Sequence, residues 1–466
     1  MEPPRKSPRP SRPVPDRPRH HRAEAEPDRP GLAARRAASR LLAAVIDTKT
    51  SADGLTDRRH GHADFLKLDT RDQGLVKAIL LTSLRHRGTI TAIVEACLDR
   101  PLPGKAASLR HILHTGAAQV LFLDVPDSAA VDLAVAQAAS DSRTERFASL
   151  VNAILRRIGR EKEAMLARFD DPQLDCPDWL FERLVAGYGM EQALAIAQMH
   201  RLPAPLDITA KGDPAEVAAQ LGGTVLPFGT VRLGGGEGAV SEMPGFTEGT
   251  WWVQDAAASL PARLFGDIAG LRVADLCAAP GGKTAQLAAM GAKVTALDIS
   301  ASRMRRLREN LGRLGLEAEF TVTDLAGFEP AEPFDGVLLD APCSSTGTIR
   351  RHPDVAYTKD PGEIAKLAGV QARMLASAAD LVKPGGLLVF SNCSLDREEG
   401  EEMVAGFLRD RPDFAIEPVR PDELPGLEQA ISAEGTLRTT PAMLVRETPD
   451  ASGLDGFFAA RLRRAA

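Results

Sequence analysis

Cys343 and Cys393 are the residues of this chain with the clearest capacity for chemistry. Each sits in a turn of small and polar residues that follows an apolar run. The first turn reads Asp340-Ala341-Pro342-Cys343-Ser344-Ser345-Thr346-Gly347, and the second reads Ser391-Asn392-Cys393-Ser394. A thiolate is a strong nucleophile and a thiol is a weak acid, so two such groups can divide attack and proton transfer between them if the fold brings them together. Asp396 and Glu399 read as an N-cap and its box partner for a helix over 398–410. That reading puts Cys393 near a helix N-terminus, where the thiolate is favoured. The remaining cysteines are Cys97, Cys176 and Cys277. Cys97 and Cys176 read as inert. An odd number of cysteines without Cys-x-x-Cys pairs argues against a disulfide framework and against a metal site.

A second constellation lies upstream. Val273-Ala274-Asp275-Leu276 reads as a strand, and Cys277-Ala278-Ala279-Pro280-Gly281-Gly282-Lys283-Thr284 leads from it into a helix. Small residues and glycines at a strand's carboxyl end let the backbone approach a ligand. A phosphate-binding P-loop needs Gly where Cys277 stands, and the dinucleotide fingerprint GxGxxG is absent. Asp298, 17 residues after Gly281, closes the next strand, where a carboxylate can grip ribose hydroxyls. Asp324 follows a third strand. Together the two aspartates favour an adenosine-type ligand.

These turns need a scaffold. From about residue 253 onward, strands alternate with helices: strands over 272–276, 293–297, 319–322, 336–339 and 387–391, and helices over 283–290, 301–314, 363–381 and 398–410. Repeated strand–helix units predict a parallel, doubly wound α/β sheet with its site at the strands' carboxyl ends. Upstream, amphipathic runs over 33–46, 69–86, 90–98, 106–122, 128–139 and 147–158 predict an all-helical domain. Residues 171–200 continue as helix. A β-α-β-β pattern over 206–233 predicts a small α+β domain, broken off at Gly234-Gly235-Gly236. Residues 1–30, rich in Pro and Arg, read as a disordered tail. The domain boundaries are therefore expected at 1–30, 31–165, 166–240 and 241–466.

The 466 residues exceed one ordinary core, and the hydrophobic fraction of 44% is that of a globular protein. No run approaches the roughly 20 apolar residues that span a bilayer, so no membrane partner is expected. The net charge of -6 does not advertise nucleic-acid binding, so any such surface is local. Free cysteines fit a reducing, cytoplasmic setting.

The motifs together resemble the RNA (cytosine-5) methyltransferases of the Sun (RsmB) type: the Pro-Gly-Gly-Lys cradle, then the Pro-Cys turn, then the Cys-Ser turn. The helical part, with Leu150-Val151-Asn152-Ala153-Ile154-Leu155-Arg156-Arg157, resembles the NusB-like RNA-binding domain. The resemblance covers the chain from about residue 31 to its end. It implies a doubly wound Rossmann-like S-adenosylmethionine methyltransferase domain behind an all-α NusB-like domain and a small α+β linking domain.

It also implies roles. Cys393 is the expected nucleophile toward carbon-6 of a cytosine, and Cys343 assists proton removal and enzyme release. Asp340 can hydrogen-bond the base edge and stabilise the adduct. Cys277, Ala278, Ala279, Pro280, Gly281, Gly282, Lys283, Asp298, Asp324 and Asp340 are expected to line the S-adenosyl-L-methionine site. Arg350, Arg351 and His352, with Lys359, are candidate RNA phosphate contacts. The arginines of 301–314 read as a solvated helix face, and Glu398, Glu399, Glu401 and Glu402 carry no expected catalytic role. The implied partner is a cytosine in small-subunit ribosomal RNA, single-stranded or flipped out. A transfer-RNA cytosine-5 methyltransferase and a non-catalytic RNA-binding assembly factor are the alternatives. Three positions depart from the family pattern: Asn392 stands where Thr is usual, Tyr357 where Trp is usual, and 205–210 lacks an Arg.

Overall fold

The computed structural model describes residues 29–104, 106–234 and 239–466. Residues 1–28 of the tail expected over 1–30, and most of the glycine break, lie outside the described residues.

The N-terminal part is helical, as its periodicity predicts. Its principal helices are Leu32–Thr48, Thr70–Arg85, Arg87–Ala96, Ala107–Phe122, Asp127–Ala139 and Ala148–Arg160. The helix Ala107–Phe122 is buried nearly all round, as the central helix of a bundle must be. Two apolar clusters form the core, one around Leu41, Leu42 and Ile79 and one around Leu113, Val120 and Leu155.

The helix Asp178–His200 breaks at Gly189, whose φ of 79° few other residues adopt. It leads to four short antiparallel strands, β1 (Leu206–Ala210), β2 (Thr224–Val225), β3 (Val231–Leu233) and β4 (Trp251–Val253), in the order β2-β3-β1-β4. The small sheet therefore extends past the expected boundary at 240. Trp251, fully buried in the core of this sheet, draws β4 into it.

The large sheet holds β5 (Arg272–Leu276), β6 (Lys293–Asp298), β7 (Glu319–Val322), β8 (Phe334–Asp340), β9 (Val382–Asn392), β10 (Phe414–Ile416), β11 (Leu437–Thr439) and β12 (Phe457–Arg464). The order along it is β10-β12-β9-β8-β5-β6-β7, with β11 paired to β12. β5 through β9 are parallel, whereas β10, β11 and β12 are antiparallel additions. The chain leaves β5 toward β6 on one side and returns to β8 on the other, so the crevice opens at that switch. Two apolar clusters cover the sheet's two faces.

Candidate active site

Strand register decides which side chains meet. Leu276 on β5 is paired with Leu297 on β6 and with Leu339 on β8. One residue further along, Cys277, Asp298 and Asp340 therefore emerge side by side. Asp340 is in turn paired with Ser391 on β9. The chain runs three residues past Asp340 to Cys343 and two past Ser391 to Cys393, and the thiols converge with Sγ–Sγ 3.5 Å.

The turns can come this close because Gly347 has no side chain. A Cβ there would lie 1.9 Å from the Gly456 carbonyl oxygen and 2.8 Å from that of Cys393. Instead the Gly347 N–H donates to the Cys393 carbonyl at 2.9 Å, and the Gly456 N–H donates to Gly347 at 2.8 Å. Buried hydroxyls lock the two turns further: Ser344 and Ser394 lie 3.1 Å apart, and Thr346 and Ser394 3.2 Å. Asn392, the departure from Thr, donates Nδ2–H to the Glu399 carbonyl at 2.7 Å and accepts from the Ser394 N–H at 3.1 Å.

The thiols are electrostatically unequal. The contact with Cys343 favours the Cys393 thiolate; Ser345 and the Lys283 ammonium add to this, while burial and Asp340 oppose it. The net direction for Cys393 is downward. Cys343 is held well above its ordinary value by the same contact, by burial and by the charge of Glu399. Burial pushes Cys277 up to about 12 and Cys176 up to about 12, and it raises Cys97. Of the five thiols, Cys393 alone is held below its ordinary value, the direction that favours a thiolate.

Asp340 stands beside them. Its Oδ2 accepts from Lys283 Nζ at 2.8 Å, and its Oδ1 accepts from the Ser391 hydroxyl at 3.0 Å. Lys283 also lies 4.8 Å over the Phe457 ring, a favourable cation–aromatic placement.

A cleft of about 560 Å³ opens over the strand ends. Cys277, Ala279, Asp298, Asp324, Asp340, Cys343 and Cys393 line it. Ala278, Pro280, Gly281, Gly282 and Lys283 line instead a neighbouring cavity of about 330 Å³, which shares Cys277, Ala279 and Asp340 with the first. The cradle is thus the wall between two hollows. Gly281 takes φ 106° and starts the helix Gly282–Ala289, and a Cβ there would lie 2.8 Å from Leu307. Asp298 accepts from the N–H groups of Ala279 and Ser300 and from Arg303. Asp324 is exposed and accepts from the Ala326 N–H at 3.1 Å. Asp275, fully buried, accepts from the Thr284 hydroxyl at 2.6 Å, while its other oxygen has no partner. Burial pushes its carboxyl up to about 7. Three aspartates around a backbone cradle fit a ligand with ribose hydroxyls and a cationic sulfonium.

Several expectations are corrected. Arg350 is 1% exposed, and its guanidinium donates to the carbonyls of Ser452 and Pro203 at 3.0 Å each. Arg351 pairs with Asp255 at 2.7 Å and Asp455 at 3.0 Å. Both hold the chain together; Arg350 is too buried to meet a phosphate, and the Arg351 guanidinium, 24% exposed, is committed to two carboxylates. His352 lies 3.0 Å from Asp53 of the helical domain and keeps 38% of its side chain exposed, which leaves its expected RNA contact open to test. The last helix starts at Glu401 with Gly400 as its cap, not at 398. Asp396 instead accepts from the Glu398 N–H and pairs with Arg183, and Glu399 turns into the interior. The arginines of Ala301–Leu314 are not merely a solvated face: Arg303 bonds Asp298, and Arg313 lies 4.1 Å over Phe246.

Carboxylates aligned by strand register at the switch point, beside a glycine-started helix, suit an adenosine-type ligand, and the family profiles make the class that of an S-adenosyl-L-methionine-dependent methyltransferase. The family profile described as 16S rRNA methyltransferase RsmB/F matches residues 269–463, and the NusB family profile matches residues 32–160. Ribosomal RNA small subunit methyltransferase B of Xanthomonas campestris pv. campestris is 36% identical over 84% of this chain and 90% of its own length. The protein of the same name from Pasteurella multocida is 32% identical over 93% of this chain and 96% of its own. The crystal structure of PH0851 shares the fold, with a TM-score of 0.69 and 24% identity over 94% of this chain and all of that one. The chain belongs to the RsmB/F family of rRNA methyltransferases, with a NusB-family domain at its N-terminal end. Its cofactor is S-adenosyl-L-methionine. No helix among the described residues is long and apolar enough to cross a membrane.

Proposed function

We propose that this enzyme methylates carbon-5 of a cytosine in 16S ribosomal RNA through a covalent bond between Cys393 and the base. The observation that carries the reading is the thiol pair: Cys343 and Cys393 lie with their sulfurs 3.5 Å apart at the strand ends beside Asp340, and Cys393 is the one thiol of five held below its ordinary value.

Carbon-5 of cytosine is a poor nucleophile. Addition of the Cys393 thiolate to carbon-6 makes carbon-5 electron-rich enough to take a methyl group. S-adenosyl-L-methionine, when bound, supplies that electrophilic methyl. Asp340, held by Lys283 and Ser391, is placed to hydrogen-bond the base edge and stabilise the adduct. Once Cys393 is a neutral thioether, its share in keeping Cys343 protonated, the largest one, is gone, while burial and Glu399 remain. Cys343 can then lose its proton to solvent and take the proton from carbon-5. The carbon-5 electron pair reforms the ring double bond and expels the Cys393 thiolate. Cys277, Ala278, Ala279, Pro280, Gly281, Gly282, Lys283, Asp298 and Asp324 are assigned to the cofactor side. The family descriptions and the NusB-family domain support ribosomal RNA as substrate, and such a substrate is met in the cytoplasm.

The test is methyl transfer from labelled S-adenosyl-L-methionine to unmodified small-subunit ribosomal RNA, with transfer RNA offered in parallel. Wild type places label on carbon-5 of one ribosomal cytosine. Cys393→Ala abolishes transfer, and Cys343→Ala accumulates an RNA–protein adduct. Normal methylation by Cys393→Ala would sink the assignment.

A further inference from the structure

Glu399 joins the two cysteine turns. Its side chain is fully buried. The Ser344 N–H donates to its Oε1 at 2.9 Å, Gln371 Nε2–H donates to the same oxygen at 2.9 Å, and the Ser344 hydroxyl donates to its Oε2. Its backbone carbonyl accepts from Asn392 Nδ2–H at 2.7 Å. One residue thus grips the neighbour of Cys343 with its carboxyl group and the neighbour of Cys393 with its backbone. Gln371 also donates to the Pro342 carbonyl at 3.0 Å, which extends the clamp along the first turn.

The arrangement asks more of Glu399 than packing. Three donors converge on a group that only accepts, as an ionised carboxylate does. A charge buried this fully is costly unless it is answered by several hydrogen bonds. An amide or hydroxyl would serve packing as well. The charged groups facing the thiols are Glu399 toward Cys343, and Asp340 and Lys283 toward Cys393. Glu399 thus acts on the cysteine that must start as the protonated partner.

We infer that Glu399 is a positioning residue that fixes which thiol of the pair attacks, holding Cys343 as the hydrogen-bond donor and leaving Cys393 as the thiolate. This deepens the covalent reading above and rests on it. The mechanism needs an asymmetric pair, and two thiols this close in like surroundings would otherwise compete for one proton.

The experiment compares wild type, Glu399→Gln and Glu399→Ala. Glu399→Gln keeps the shape and two of the acceptor contacts while removing the charge. Thermal melting and S-adenosyl-L-methionine binding report folding, and Glu399→Gln is expected to match wild type in both. Iodoacetamide labelling across pH, mapped to each cysteine by mass spectrometry, needs no RNA. The midpoint for Cys343 is expected to fall in Glu399→Gln, and the preference for Cys393 at neutral pH to drop about tenfold, the thiolate change that one pKa unit brings. With RNA, kcat falls while KM for S-adenosyl-L-methionine is unchanged. An unchanged Cys343 midpoint together with wild-type kcat in a folded Glu399→Gln protein overturns the inference. Trapping on RNA carrying 5-fluorocytosine separates the two readings: a wild type that forms no Cys393 adduct removes the covalent mechanism, whereas a wild type and Glu399→Gln that trap equally fast, with equal labelling midpoints, remove only the role of Glu399. If Glu399→Ala alone is impaired and melts early, Glu399 is a packing residue and the inference also fails.

Discussion

At the scale of single residues, the site is a set of unequal partners. Cys343 and Cys393 have the same side chain and lie in contact, yet their surroundings push the two thiols in opposite directions. Asp275 shows the same principle on the cofactor side. It is a carboxyl with no exposure, one unpartnered oxygen and a value pushed up to about 7 by burial. Its folded value lies above its unfolded one, so its contribution to stability is full below about pH 4 and is lost as pH rises toward 7. Asp275→Asn removes that ionisation. In the ligand-free protein, the melting temperature of Asp275→Asn relative to wild type should rise between about pH 5 and pH 8. A difference that does not change with pH would show that Asp275 carries no such burden.

At the scale of elements, the segment after the Cys343 turn is a structural hub. Arg350 holds carbonyls from the linker and from the C-terminal loop, and Arg351 joins Asp255 to Asp455. Removing the Arg350 guanidinium leaves the buried Ser452 carbonyl without this donor, ends the part-buried bond to Pro203 and opens a cavity where a buried side chain stood. Arg350→Ala is expected to lose about 2–4 kcal/mol in urea unfolding. RNA affinity of the folded fraction should keep its salt dependence, since no phosphate contact is removed. A shallower salt slope with unchanged stability would return Arg350 to the RNA surface. The three C-terminal strands belong to this scale as well. β12 inserts antiparallel between β9 and β10 and pairs Phe458 with Asn392 beside Cys393, while Gly456 just before it donates to Gly347 of the Cys343 turn.

At the scale of the whole molecule, the helical domain docks on the segment that follows the Cys343 turn. Tyr357, where the family usually has Trp, donates its hydroxyl to the Leu84 carbonyl at 3.0 Å. Arg85 donates to the Arg350 carbonyl at 2.9 Å, and the Ala52 N–H donates to Asp354 at 3.0 Å. His352 pairs with Asp53, and this contact raises its value, with Asp354 and Asp455 adding to the effect against burial. A raised histidine stabilises below its unfolded value of about 6.5 and loses that contribution as pH climbs through its folded value. Docking is therefore expected to loosen modestly from about pH 6 to pH 8. Faster amide exchange over 350–358 would report it, and His352→Gln should flatten the trend. Exchange that rises equally in wild type and variant would place the pH response elsewhere.

Read from the residues alone, the chain already shows its principal helices, the strand–helix alternation, the cradle from Cys277 to Lys283 and the two cysteine turns. Those features are local: periodicity, glycine and proline placement, and strand-end turns are written in neighbouring residues. The antiparallel strands β10 to β12 were not legible, because short strands pair with distant partners and carry little periodicity of their own. β4 was missed for the same reason, since Trp251 joins the small sheet only through long-range packing. Arg350, Arg351 and Glu399 were misread because charge in a sequence looks like surface. Only the fold decides that a charge is buried, and then which carbonyl, carboxylate or N–H answers it. The residue types of the site were settled along the chain, while the 3.5 Å between the thiols, and the difference between them, came from the parallel register of β8 and β9.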